Sequence, residues 1–90
     1  MFEWDEAKNQ SNIAKHGISF ERAQRIFEGP VLSEVDDSLN YGEERVVSLG
    51  MVDGFVCLVV VHTDRDDHIR LISARRANRM ERNRYEQSLR

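Results

Sequence analysis

Cysteine, proline and long apolar runs are all scarce in this chain, and each scarcity removes a class of protein. The single cysteine, Cys57, cannot form a disulfide within one chain, so a cross-linked secreted scaffold is excluded. Because Cys57 lies inside an apolar run, its expected use is core filling rather than chemistry. The longest apolar run, Phe55 to Val61, is far too short to span a bilayer. The opening Met1-Phe2-Glu3-Trp4-Asp5-Glu6 has neither the basic region nor the apolar stretch of a secretion signal, so the expected location is the cytoplasm, away from any membrane. The three histidines, His16, His62 and His68, lack a convincing metal-ligand spacing, and no metal or other cofactor is expected. With only one proline and 40% hydrophobic residues, the 90-residue chain reads as one folded domain over 1–90 rather than a disordered tail.

What is present is an uneven charge. Residues 1–67 hold 6 Lys/Arg against 14 Asp/Glu, whereas residues 68–90 hold 7 Arg against 2 Glu. The net of −3 therefore conceals a basic end of +5. Local fields decide where a polyanion docks, and guanidinium forks pair bidentately with phosphate. An arginine-rich helix is equally compatible with a solvated surface or a grip on an acidic partner.

Local signals outline an α+β domain. Phe2 and Trp4 alternate with polar residues as in a short opening strand. Asp5 is placed to cap a helix from Glu6 to about Lys15, with Gly17 to stop it. Ser19 caps a second helix, Phe20 to Glu28, ended by Gly29-Pro30. A short edge strand, Val31 to Val35, leads into the polar stretch Asp36 to Gly42. Arg45 to Met51 and Phe55 to Thr63 flank the hairpin signature Asp53-Gly54. A last strand, His68 to Ala74, follows; strict alternation would turn Ile69, Leu71 and Ser73 one way and His68, Arg70, Ile72 and Ala74 the other. Arg76 to Leu89 reads as a closing helix with Ala77, Glu81, Tyr85 and Leu89 on one stripe. The expectation is two helices, an antiparallel sheet of three or four strands and a C-terminal helix.

Several segments, in this order, resemble the BrnT family of ribonuclease toxins. They are Phe2-x-Trp4-Asp5-x-x-Lys8, Asn12-x-x-Lys15-His16-Gly17-Ile18-x-Phe20, Ala23 with Ile26-Phe27, Gly42-Glu43-Glu44-Arg45 with Gly50, Ile69-Arg70-x-Ile72-Ser73-Ala74-Arg75-Arg76-Ala77, and Glu81-Arg82-x-x-Tyr85-Glu86. Asn78 stands where similar sequences often carry Thr, a conservative change of helix cap. The resemblance implies a RelE/ParE-like fold and a type II toxin that cuts RNA without a metal. It also implies a cognate BrnA-like antitoxin, DNA-binding and dimeric, carrying two toxins and linking them to operator DNA. The RNA substrate would be free or ribosome-bound. The same broad fold also serves gyrase poisons, and a non-catalytic adaptor is a third reading of the arginine helix.

Metal-independent RNA cleavage attacks with the neighbouring 2′-hydroxyl and passes through a phosphorane of added negative charge. It calls for cations on the non-bridging oxygens, a base and an acid. Arg70 and Arg75 are the first candidates for the cations, against a structural reading in which each pairs with Glu81, Glu86 or another acid. For proton transfer the candidates are His16, His68, Lys15, Glu81 and Tyr85. Lys15 and His16 also suit a plain helix C-terminus, where positive charge complements the dipole. Glu81 and Tyr85, one turn apart, either form a hydrogen-bonded pair or leave Tyr85 in the core. Arg76, Arg79, Arg82 and Lys8 are expected on the RNA backbone. Trp4 and Phe20 either stack on bases or pack the core.

Overall fold

The computed structural model describes residues 1–36 and 44–90. The polar stretch 37–42 and the Gly42-Glu43 half of its motif fall outside the described residues. Strands β1 (Phe2–Glu3), β2 (Leu32–Asp36), β3 (Arg45–Val52), β4 (Val56–Arg65) and β5 (His68–Arg76) form one sheet in the order β1-β5-β4-β3-β2. Helices α1 (Glu6–His16) and α2 (Phe20–Ala23) precede it in the chain after β1, and α3 (Arg79–Ser88) closes the chain. The sheet is mixed rather than purely antiparallel, because β1 pairs parallel to β5 while every other pairing is antiparallel. No helix among the described residues is long and apolar enough to cross a membrane.

The local signals are realised by specific contacts. The Asp5 carboxylate accepts from the Ala7 and Lys8 amides, and Gly17 ends α1 in the left-handed region at φ 71°. Ser19 caps α2, but that helix lasts only four residues before tightening into a 3₁₀ segment, Gln24–Glu28. The expected single helix to Glu28 is thus half 3₁₀, the common way a helix draws in before a Gly-Pro stop. In the β3–β4 turn both Asp53 and Gly54 adopt positive φ, as a tight hairpin turn requires. The last strand runs two residues beyond Ala74, so α3 starts at Arg79 rather than near Arg76. There the Asn78 side chain accepts from the Glu81 amide and the Glu81 carboxylate accepts from the Asn78 amide, a reciprocal capping box.

Each face of the sheet has its own core. Under α1 and α2 lie Ile18, Phe20, Ala23, Ile26, Val52, Leu58, Val60, Leu71 and Ala74. Under α3 lies a thinner group, Leu49, Cys57, Val59 and Tyr85, which puts Cys57 in the core as expected. β4 feeds both groups, which is why it is apolar on alternate and intervening positions alike.

Two buried asparagines anchor α1. The Asn9 side-chain oxygen accepts from the Phe20 amide. The Asn12 amide group donates to the carbonyls of Ile18 and Ala74 and accepts from the Ala74 amide. Asn12 therefore serves β5 as a one-residue strand partner where β1 no longer reaches. Since β1 meets β5 at Ile69 and Arg70, α1 runs in the same direction as β5, and His16 lies toward the Arg75–Arg76 end.

Candidate active site

An irregularity in β5 decides which cations share a face. Val61 pairs with Ser73, yet the next residue, His62, pairs with Leu71, so Ile72 is an extra residue on β5. Such a bulge breaks the two-residue period. Leu71 and Ala74, three apart, both enter the core under α1 and α2. The expected alternation fails beyond Ile72 for this reason. Arg70, paired with Thr63, then shares a side with Ser73, paired with Val61, and Arg75, paired with Val59. That is the side on which α3 packs, since Val59 belongs to the group around Tyr85.

Both arginines have carboxylate partners. The Arg70 Nη1 donates to Glu3 Oε2 at 2.8 Å, bridging β5 and β1. Arg75 donates from Nη1 and Nη2 to the two oxygens of Glu81 at 2.9 and 2.8 Å, a fork joining the end of β5 to the first turn of α3. Their side chains are 36% and 45% exposed, within reach of a ligand. A guanidinium has five donors. Arg70 spends one of them in these contacts, and Arg75 two on Glu81, its Nη1 also reaching the Arg76 carbonyl. Half-exposed ion pairs are worth about 0–1 kcal/mol, so the phosphodiesters of a polyanion, presented several at a time, can compete for the same cations.

The proton-transfer candidates separate. Glu81 and Tyr85 do not pair: the Tyr85 hydroxyl donates to the Pro30 carbonyl at 2.7 Å and the residue is 2% exposed. Burial pushes the Tyr85 hydroxyl up from its ordinary value, so it is a core residue anchoring α3 rather than an acid facing solvent. The Arg75 guanidinium, helped by the Asn78 amide, holds the Glu81 carboxyl down to about 2. A carboxylate of that strength is a poor base at neutral pH. Lys15 and His16 are exposed in the last turn of α1. No hydrogen bond or ion pair among the described residues joins them to Arg70, Arg75 or Glu81. Lys8 is exposed on α1. Arg76 and Arg79 are exposed without an ion pair among the described residues, while Arg82 bonds Glu86 and the Phe55 carbonyl. Phe20 is fully buried and unavailable to a base, and the half-buried Trp4 packs edge-on against it at the margin of the core.

The structure also holds groups that spacing did not single out. On the α1–α2 face, Ser33 Oγ meets Ser48 Oγ, Ser48 Oγ meets His62 Nε2, and His62 Nδ1 meets Asp64 Oδ1, each at 2.7 Å. Ser48 and His62 are buried, with Phe27 edge-on to the imidazole, so the chain satisfies interior polar atoms instead of presenting a nucleophile. The neighbouring Thr63 hydroxyl is a buried side-chain polar atom without a partner among the described residues. Alternation in β3 and β4 was the available signal for these groups, but their pairing depends on strand register.

A family model for the ribonuclease toxin BrnT of type II toxin–antitoxin systems matches residues 4–81, most of the chain. The chain belongs to the BrnT family. The 1.1 Å crystal structure of the Brucella abortus ribonuclease toxin BrnT is similar, with 28% identity, a TM-score of 0.67, and coverage of 88% of this chain and 99% of that one. No curated protein matches. As a BrnT-family member, the chain is a ribonuclease toxin of a type II system, and that system entails an antitoxin partner.

Proposed function

We propose that this toxin is a metal-independent endoribonuclease whose reaction is centred on Arg70 and Arg75. The observation that carries the reading is the Ile72 bulge, which turns both guanidiniums to the α3 side of the sheet. In the resting protein Glu3 and Glu81 hold them in place; an incoming phosphodiester exchanges with these carboxylates and meets fixed positive charge where the phosphorane's charge develops. Glu81, held ionised, positions Arg75 and does not transfer the proton. The base for the 2′-hydroxyl is assigned to His16 with Lys15 beside it, because the Asn12 bonds to the Ala74 backbone seat α1 on the edge of β5, where its last turn can be reached from the Arg75 side. Arg76, Arg79 and Arg82 hold the RNA backbone, and Lys8 adds a more distant contact.

The α+β arrangement, with an arginine-bearing sheet face beside a C-terminal helix, supports the RelE-like assignment. The same reading makes residues 1–90 one domain acting in the cytoplasm, inhibited by a dimeric BrnA-like antitoxin that carries two toxins and contacts operator DNA. The RNA is cut either free or on the ribosome.

The test is expression of Arg70→Ala and Arg75→Ala, followed by cleavage assays on the purified toxins. Each variant should lose growth arrest and RNA cleavage while keeping its fold and its antitoxin affinity. Retained toxicity in both folded variants overturns the site. Intact RNA accompanied by DNA breaks would move the chain to the gyrase-poison class instead.

A further inference from the structure

The β3–β4 turn and the start of α3 enclose a cleft of about 190 Å³ lined by Phe55, Val56, Cys57, Arg76, Ala77 and Arg82. Phe55 is 67% exposed. Its ring nevertheless stands on a fixed mount, because the Phe55 carbonyl accepts from Arg82 Nη1 at 2.9 Å and ties the turn to α3. Arg79, three residues before Arg82, falls on the same side of that helix. Arg22, Arg25, Arg70, Arg75, Arg82 and Arg84 all have carboxylate partners, whereas Arg76 and Arg79 have no ion pair among the described residues. Exposed aromatic surface and unneutralised guanidinium charge thus meet at one end of the sheet, with Arg76 and Arg79 on the stretch of chain that the Arg75–Glu81 fork closes.

An acidic peptide would use these cations but not the ring, and an apolar partner would cover the ring while leaving two cations unpaired. A nucleotide uses both: its base has an apolar face to stack, and its phosphate takes a forked donor. We propose that the cleft is a base-stacking subsite for the RNA substrate, in which Phe55 takes the face of one base and Arg76 and Arg79 hold the flanking phosphates. The strand then passes from the Arg75 face around the end of the sheet. The proposal rests on the ribonuclease reading above and adds to it the residue that fixes which nucleotide lies beside the cut.

The experiment measures binding, not cleavage, so that it is independent of the catalytic assignment. A fluorescent single-stranded oligonucleotide, 2′-O-methylated throughout to prevent cutting, is titrated with the toxin and with Phe55→Ala, Phe55→Trp, Arg76→Gln and Arg79→Gln. Because Phe55 is exposed on a turn, Phe55→Ala should melt with the wild type. Its affinity should fall roughly 5- to 100-fold, with the salt slope unchanged and Phe55→Trp restoring it. Arg76→Gln and Arg79→Gln should each lower the salt slope by up to about one. An abasic site walked along the oligonucleotide should erase the Phe55→Ala defect at one position only, which a merely structural role cannot do. Wild-type affinity in Phe55→Ala overturns the subsite, as does a defect indifferent to every abasic position. Loss of antitoxin affinity with RNA affinity intact assigns the cleft to the protein partner and likewise overturns it. If instead Arg70→Ala and Arg75→Ala still cleave while the Phe55 pattern holds, the catalytic reading fails and the subsite stands.

Discussion

Gly50 is the position where one added carbon should be felt most. A Cβ built there lies 2.7 Å from the Cβ of Ile26 and 3.2 Å from a methyl of Val31. Carbon pairs rest at about 3.5–4.0 Å, so the Ile26 contact is short by roughly 1 Å. No rotamer change relieves it, since both atoms are β-carbons fixed by their backbones. Ile26 is fully buried in the 3₁₀ segment that packs on β3, so that segment must lift away from the sheet in Gly50→Ala. Overpacking of this kind costs about 1–3 kcal/mol. For a domain of this size each kcal/mol lowers the Tm by about 4–8 °C, which gives a fall of roughly 8–16 °C for a mid-range 2 kcal/mol. Thermal melts followed by circular dichroism, with urea unfolding to confirm an unchanged slope, measure it. Gly29→Ala is the control, because nothing lies within 4 Å of a Cβ there and its φ of −128° suits any residue. A Gly50→Ala protein that melts within about 2 °C of the wild type would refute the close-approach argument.

Two adjacent interior residues should respond with opposite sign. His62→Leu leaves the buried Ser48 hydroxyl with Ser33 alone and should cost about 0.5–1.5 kcal/mol, whereas Thr63→Val removes a buried hydroxyl that has no partner among the described residues and should be neutral or stabilising; urea unfolding of both variants reads the difference, and the reverse ordering would discredit the hydrogen-bond assignment. The Arg75–Glu81 pair has a defined pH window. Because the Glu81 carboxyl is held at about 2, below its ordinary 4.5, the pair's contribution is complete above about 4.5 and fades as pH falls toward 2. Solvent screening keeps that contribution under about 1 kcal/mol. Glu81→Gln should remove this part of the acid dependence of stability, and an identical acid profile in the two proteins would count against the fork.

Punctuation was legible in the sequence because it is local. Asp5, Gly17, Ser19, Asp53-Gly54 and Asn78 each act on backbone within a few residues, and each does so in the fold. Legibility ended where distant parts meet. β1 is two residues long, and its parallel pairing with β5 depends on a partner 67 residues away. Asn9 and Asn12 look like solvent-facing helix residues until α2 and β5 close over them. At the site, Arg70 and Arg75 could be chosen for their charge, and the alternative that acids hold them was visible too. Glu81 was among the acids named for that role, whereas Glu3 followed only from the β1–β5 register. The Glu81–Tyr85 pairing failed because helical spacing fixes a shared side without saying which other element comes to meet it.

The extra residue at Ile72 makes the placement of two charges a matter of how β5 is paired. Five positions separate Arg70 from Arg75, an odd count that plain alternation would put on opposite sides. Keeping all nine residues of β5 but straightening it into unbroken pairing would therefore send Arg75 to the layer of α1 and leave Arg70 behind. Such a change alters neither net charge nor the number of arginines, yet it would separate the two cations by the thickness of the sheet. Deleting Ile72 together with its bulge would instead leave Leu71 opposite His62 and Ser73 opposite Val61, with both guanidiniums on one side.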